Sequence, residues 1–149
     1  MIRTIALMVT LLGVAGAADF MGTWKLNVAK STYGVVGAPK EQTVTYSPKG
    51  AGYDYELKGI SPKGEPLHGT YTYMKDSVEN KATGFPNWDG IVLTHGMSGK
   101  ATAVYMRAGT RVGTGTRTLS PDGKTLRIDS QVKVPKGKVS ITSAVYDRQ

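Results

Sequence analysis

One short pattern recurs along the chain and restricts its fold more than any other feature. Ser47-Pro48-Lys49-Gly50, Ser61-Pro62-Lys63-Gly64, Ser120-Pro121-Asp122-Gly123 and Val134-Pro135-Lys136-Gly137 each place a proline two residues before a glycine. Proline presets φ at the second turn position. Glycine supplies the left-handed residue that ends a type I turn with a G1 bulge. Two further breaks, Gly96-Met97-Ser98-Gly99 and Arg107-Ala108-Gly109-Thr110, fall at similar intervals. From Gly96 onward a break comes about every 11 to 14 residues, the rhythm of an antiparallel meander.

The residues between the breaks alternate. Tyr53, Tyr55 and Leu57 share one face, opposite Asp54, Glu56 and Lys58. Leu67, Gly69, Tyr71 and Tyr73 oppose His68, Thr70 and Thr72. Leu126 and Ile128 oppose Arg127 and Asp129, while Val139, Ile141, Ser143 and Val145 oppose Ser140 and Thr142. A period of two with β-branched and aromatic enrichment predicts half-buried antiparallel strands. Nine segments follow: 22–28, 41–47, 52–60, 65–74, 89–95, 100–107, 110–119, 124–133 and 138–147. Residues 29–40 read as a loop with one helical turn. Residues 75–88, with Gly84-Phe85-Pro86-Asn87-Trp88, read as a loop with a very short strand near 81–83. The fold expected is all-β, an antiparallel up-and-down barrel of about eight to nine strands. Closure removes exposed sheet edges. A β-sandwich needs longer crossovers than most of these connections allow.

With 149 residues and 15.9 kDa the chain has the length of one domain. It opens with Met1-Ile2-Arg3-Thr4, an apolar run from Ile5 to Val14, and Ala15-Gly16-Ala17. This is the arrangement of a cleavable export signal. The run is too short to span a bilayer, which needs about 20 residues. Residues 1–17 are therefore expected to be a signal peptide and 18–149 the barrel domain, exported to the periplasm or the medium. No transmembrane segment is expected after cleavage.

The chain has no cysteine, which excludes disulfides, thiolate metal sites and cysteine nucleophiles together. His68 and His95 have no metal-like spacing and read as surface or rim residues. No nucleophile elbow, phosphate loop, zinc-protease motif or calcium loop occurs. Neither an enzyme, a cofactor nor a metal is expected. Residues 18–95 carry eight Lys/Arg and eight Asp/Glu, whereas residues 96–149 carry ten and three. A basic C-terminal third can be a soluble, edge-protecting face or a surface for an anionic polymer. Nucleic acid is not an expected partner of an exported protein.

Gly22-Thr23-Trp24, at the start of the first strand, resembles the lipocalin signature. The longer stretch Gly22-Thr23-Trp24-Lys25-Leu26-Asn27-Val28-Ala29-Lys30-Ser31 is similar to the opening of a family of exported bacterial lipocalin-like proteins of unassigned function. Gly113-Thr114-Gly115-Thr116-Arg117-Thr118-Leu119-Ser120-Pro121-Asp122-Gly123-Lys124-Thr125-Leu126 resembles that family's late hairpin, and Val145-Tyr146-Asp147-Arg148-Gln149 its ending. The resemblance implies a calycin-type barrel whose bottom is closed by Trp24. It also implies a late arginine packed on that tryptophan, for which Arg117 and Arg148 are both candidates. The chain departs from lipocalins proper in lacking a disulfide and a helix after the last strand.

Candidate ligand-lining residues are Trp24, Tyr46, Tyr55, Tyr71, Tyr73, Tyr105 and Arg117. Trp24 is either the floor of a cavity or a core plug. Tyrosine combines apolar area with a hydroxyl that needs a partner when buried. The strand tyrosines therefore either line the lumen or cover the outer sheet. Gly113 and Gly115 either leave room for a ligand, with Arg117 anchoring a carboxylate, or mark a tight corner of the barrel. The function expected is lumenal binding of a small apolar or amphipathic molecule. The alternative is an envelope structural or interaction module that meets anionic surface polymers.

Overall fold

The computed structural model describes residues 17–149. The expected signal peptide lies outside the described residues, apart from Ala17. Eleven strands follow: β1 (Gly22–Leu26), β2 (Thr32–Tyr33), β3 (Glu41–Lys49), β4 (Gly52–Ile60), β5 (Pro66–Tyr73), β6 (Glu79–Thr83), β7 (Gly90–His95), β8 (Lys100–Arg107), β9 (Thr110–Leu119), β10 (Thr125–Val134) and β11 (Lys138–Arg148). From β3 to β11 each strand pairs with the next, antiparallel, in sequence order. β1 pairs with β3 on one side and β11 on the other. The sheet thus closes into an up-and-down barrel of ten strands, with β2 as an extra short strand on β11.

The strand count exceeds the eight to nine expected. The difference lies in β2 and β6, inside the two stretches that interrupt the alternation. β6 makes only two residue pairs with β5, Thr70 with Thr83 and Tyr71 with Ala82. So short a strand shows too few alternations to stand out in the sequence. β1 and β2 lie end to end along β11, with Leu26 opposite Tyr146 and Thr32 opposite Ser143. Between them Val28–Lys30 form one 3-10 turn, and the Asn27 side chain accepts from the Lys30 N–H at 3.2 Å.

All four glycines of the proline-glycine turns adopt positive φ: Gly50 54°, Gly64 88°, Gly123 71° and Gly137 69°. Two of the four depart from the expected turn: Pro48 lies within β3 opposite Tyr53, not at the second turn position, and the last turn has a second left-handed residue. Lys136 also lies in the left-handed region at 68°, as do Ser98 and Ala108 before their glycines. Paired left-handed residues match the right-handed twist of the flanking strands. β3 runs past Ser47 through Pro48 to Lys49. β1 begins opposite Tyr46, so Pro48 has no neighbour on that side that needs its missing N–H.

Strand phase follows the alternation. Tyr53 and Tyr55 of β4 point inward with Tyr71 and Tyr73 of β5, and each is at most 5% exposed. In β11 the inward face is Ser140, Thr142, Ala144 and Tyr146, whereas Val139 and Ile141 face solvent. The more apolar face lies outside here because Tyr146 sits opposite the fully buried Leu126, and a period of two then fixes every other residue. A register shift at Tyr105/Met106 sets the phase of β9, so that Arg117 and Leu119 point in.

Candidate functional site

The two ends of the barrel differ. One is plugged. A 3-10 turn at Ala18–Phe20 drives Phe20 into the core, where Trp24 Nε1 donates to its carbonyl at 2.9 Å. Both side chains are fully buried. Arg148, not Arg117, lies over the Trp24 ring, with Cζ 4.0 Å from the centroid.

His95 belongs to this end, and the expectation of a surface or rim residue is corrected to a buried one. Its side chain is 1% exposed. Nδ1 faces Asp76 Oδ1 at 3.0 Å, and Nε2 faces the Tyr53 hydroxyl at 3.1 Å. A carboxylate only accepts, so Nδ1 carries a proton and donates to Asp76, while Nε2 shares a hydrogen bond with the Tyr53 hydroxyl. Asp76 also accepts from the Tyr73 hydroxyl and the His95 main-chain N–H. Burial alone would raise the Asp76 pKa, but these hydrogen bonds outweigh it and hold the carboxyl below its usual range. The Asp76 that buries His95 comes from the β5–β6 connection, which no strand pattern places. His68 remains exposed, 3.0 Å from Glu56.

Above the plug stands a band of tyrosines. Tyr46 packs edge-on against Tyr53 and Tyr55, with centroids 5.2 and 5.1 Å apart. Tyr55 and Tyr71 stack at 4.5 Å and 12°. Burial raises the pKa of Tyr53, Tyr55 and Tyr71 far above the ordinary phenol value, so all remain neutral.

Arg117 of β9 enters this band. It is 3% exposed and is the only buried charged residue among those described. Among the described residues it forms no ion pair, and its Nε and Nη1 have no hydrogen-bond partner. The hydroxyls of Tyr46 and Tyr71 are likewise buried and unpartnered. Those two hydroxyls lie close beside the guanidinium, and the Tyr105 face stands 6.0 Å from its carbon. Burial works against the Arg117 charge, but a guanidinium does not give up its proton in a protein, so it stays charged.

The guanidinium borders a cavity of about 220 Å³. Tyr55, Tyr71, Tyr105 and Arg117 line it. Trp24, Tyr46 and Tyr73 lie deeper, in the packed half. Sequence reasoning passed over Phe85 and Trp88, which cap the cavity as a stacked pair 3.9 Å apart. Phe85 rests on Gly69, where a Cβ would come within 2.5 Å of its ring. Arg107 Nη1 holds the cap loop by donating to the Pro86 carbonyl at 2.7 Å. The signal available in the sequence was two aromatic residues in a glycine- and proline-bearing loop.

Gly113 and Gly115 do not open onto the cavity. A Cβ at Gly113 would meet the Gln131 carbonyl at 2.2 Å, and one at Gly115 the Asp129 carbonyl and Tyr105 hydroxyl at 2.8 Å. They permit close strand approach, the corner reading. Larger hollows of about 620 to 730 Å³ lie elsewhere, but neither Arg117 nor the Phe85–Trp88 pair borders them.

The basic C-terminal third is not one face. Arg117 is lumenal, Arg148 covers Trp24, and Arg127 pairs with Asp129. Arg107, Arg111, Lys133, Lys136 and Lys138 flank the turns at the capped end, and none is in an ion pair with a described residue. Among the described residues no helix is long and apolar enough to cross a membrane, and no cluster of acidic, His or Cys side chains suits a metal.

No protein-family model matches the chain, and no curated protein does. Several solved structures are similar, three of them as follows. The zebrafish ileal bile acid-binding protein complexed with cholic acid shares 12% identity at a TM-score of 0.53, over 88% of this chain and 99% of that one. A redesigned β-barrel, mFAP1, bound to DFHBI, shares 14% at 0.45, over 89% and 98%. The siderocalin Ex-FABP shares 12% at 0.41, over 88% and 74%. The first of these likenesses shows a calycin-like barrel fold.

Proposed function

We propose that this chain is an exported barrel that binds one small amphipathic molecule in its lumen, with a negative group of that molecule set against Arg117. The unpartnered guanidinium carries the reading. Burying an unpaired charge is costly. A fold that keeps one facing a cavity, with donors unused, is suited to a ligand that completes the pair. A barrel of about eight strands is just wide enough for its own side chains or one small ligand, and ten strands leave more room. The similar zebrafish protein, solved with cholic acid, is a calycin-like barrel holding an organic acid.

The unpaired cations around the capped end would draw an anion toward the mouth, an effect that weakens with salt. The leader read in residues 1–17 and the likeness to exported bacterial lipocalin-like proteins support export. Native mass spectrometry of the protein purified from its own host tests the function. A co-purified small molecule at one per chain is expected, together with one saturable site for the dye ANS. Bare mass and no saturable site would overturn the reading. Salt-sensitive binding to an anionic envelope polymer would then favour the interaction module.

A further inference from the structure

We infer that the lumen is a site for a small aromatic monocarboxylate, one ring with a short acid arm, whose acid group meets Arg117 and whose ring lies beneath the Phe85–Trp88 cap. The inference rests on the lumenal reading above and narrows it by size, wall chemistry and charge.

Size comes first. An apolar protein cavity of about 150 Å³ takes benzene, and drug-sized ligands occupy roughly 300 to 1,000 Å³. The lumen, at about 220 Å³, holds more than a bare ring and less than a steroid or a long acyl chain. The surplus over the benzene-sized cavity is worth about two water volumes, at about 30 Å³ each. A carboxylate on a short arm fills that space.

The walls come next. Seven of the fifteen lining residues are aromatic and four are aliphatic, so the surface suits a flat ring more than an alkyl chain. Tyr55 and Tyr71 form a stacked pair on one wall, and Phe85 and Trp88 form another at the mouth. Tyr105 stands between cap and cation, 4.9 Å from the Trp88 ring and 6.0 Å from Arg117 Cζ. A ring with a short arm bridges that distance, whereas a long chain overruns it.

Charge completes the argument. Arg117 is the one buried cation among the described residues, so it matches a single negative charge. A planar guanidinium suits a planar carboxylate. The Tyr71 hydroxyl, buried beside it without a partner, supplies another donor to the same group.

The test is isothermal titration calorimetry of the intact barrel with four probes: cinnamate, cinnamyl alcohol, palmitate and cholate. Saturable one-to-one binding of cinnamate is expected, at least tenfold tighter than the alcohol. Palmitate and cholate should not compete with it. Arg117→Met should remove the preference for cinnamate over the alcohol. The comparison of acid with alcohol on the unaltered protein stands even if that variant fails to fold. Equal binding of acid and alcohol, or tighter binding of palmitate or cholate, would overturn the aromatic-acid assignment and leave a lumenal site. Failure of all four probes would overturn the assignment. If the host-purified protein also carries no small molecule, the lumenal reading falls with it.

Discussion

Arg148 and Trp24 sit opposite each other in the β1–β11 register, and the guanidinium lies 4.0 Å over the indole. The same arginine donates through Nε to the Gly123 carbonyl, through Nη1 to that of Met21 and through Nη2 to that of Asp19. One side chain thus fastens the chain's entry segment, its last strand and the β9–β10 turn around the plugged end. Cation–π attraction of about 0.5–1 kcal/mol at an exposed site is the smaller part. The charge-assisted hydrogen bonds are the larger part. Arg148→Ala should lower stability by about 2–3 kcal/mol in urea unfolding, and Arg148→Lys should recover less than half, since an ammonium lacks the planar fork. Trp24→Ala should cost about 3–5 kcal/mol. The double variant should fall well short of the sum, because the two residues share one interaction.

Stability should also depend on pH through Asp76. Its folded-state pKa is held below the ordinary carboxylate value by His95 and Tyr73 against the opposing effect of burial. A depressed pKa adds stability above the unfolded value, near 3.9, and that part is lost as pH falls through the folded value. The acid limb of the stability curve should therefore steepen below about pH 4. Asp76→Asn should flatten that limb and cost about 1–2 kcal/mol at neutral pH, a figure kept small because the carboxylate is partly exposed. Urea midpoints between pH 2.5 and 7 measure both effects.

The cap can be displaced from behind. A Cβ at Gly69 would press on three atoms of the Phe85 ring, the farthest at 3.0 Å, and on no other atom among its nearest neighbours. Gly69→Ala should push Phe85 out of the mouth at about 1–3 kcal/mol of overpacking cost. Release of ANS in stopped-flow experiments should speed up severalfold. Phe85→Ala should have the same kinetic effect without the strain. Unchanged release in both variants would show that the pair does not cover the entrance.

The meander, two of its four proline-glycine turns and its closure were legible in the sequence because they rest on local rules. Proline and glycine fix the turn angles, and a period of two fixes the faces. The same alternation placed Tyr55, Tyr71 and Tyr105 on strands, and their phase then brings them to one cavity with Arg117. What was not legible depends on how separate segments meet. His95 is buried by a carboxylate from a connection between strands. Phe85 and Trp88 become a cap only because Gly84 approaches the His68 carbonyl, where a Cβ would come within 1.9 Å, and Arg107 clamps Pro86. The choice between Arg117 and Arg148 as the arginine on Trp24 was equally beyond spacing. It required knowing that β11, not β9, lies beside β1.

The claim that Arg117 serves a ligand and not the fold is tested most directly by equilibrium urea unfolding of Arg117→Met beside the unaltered, ligand-free protein. A lone buried cation with unused donors weakens the barrel, so methionine should leave stability unchanged or raise it by about 1–4 kcal/mol. A fall of about 3 kcal/mol or more would mean that the tyrosine band needs that charge to hold together, and would contradict the account.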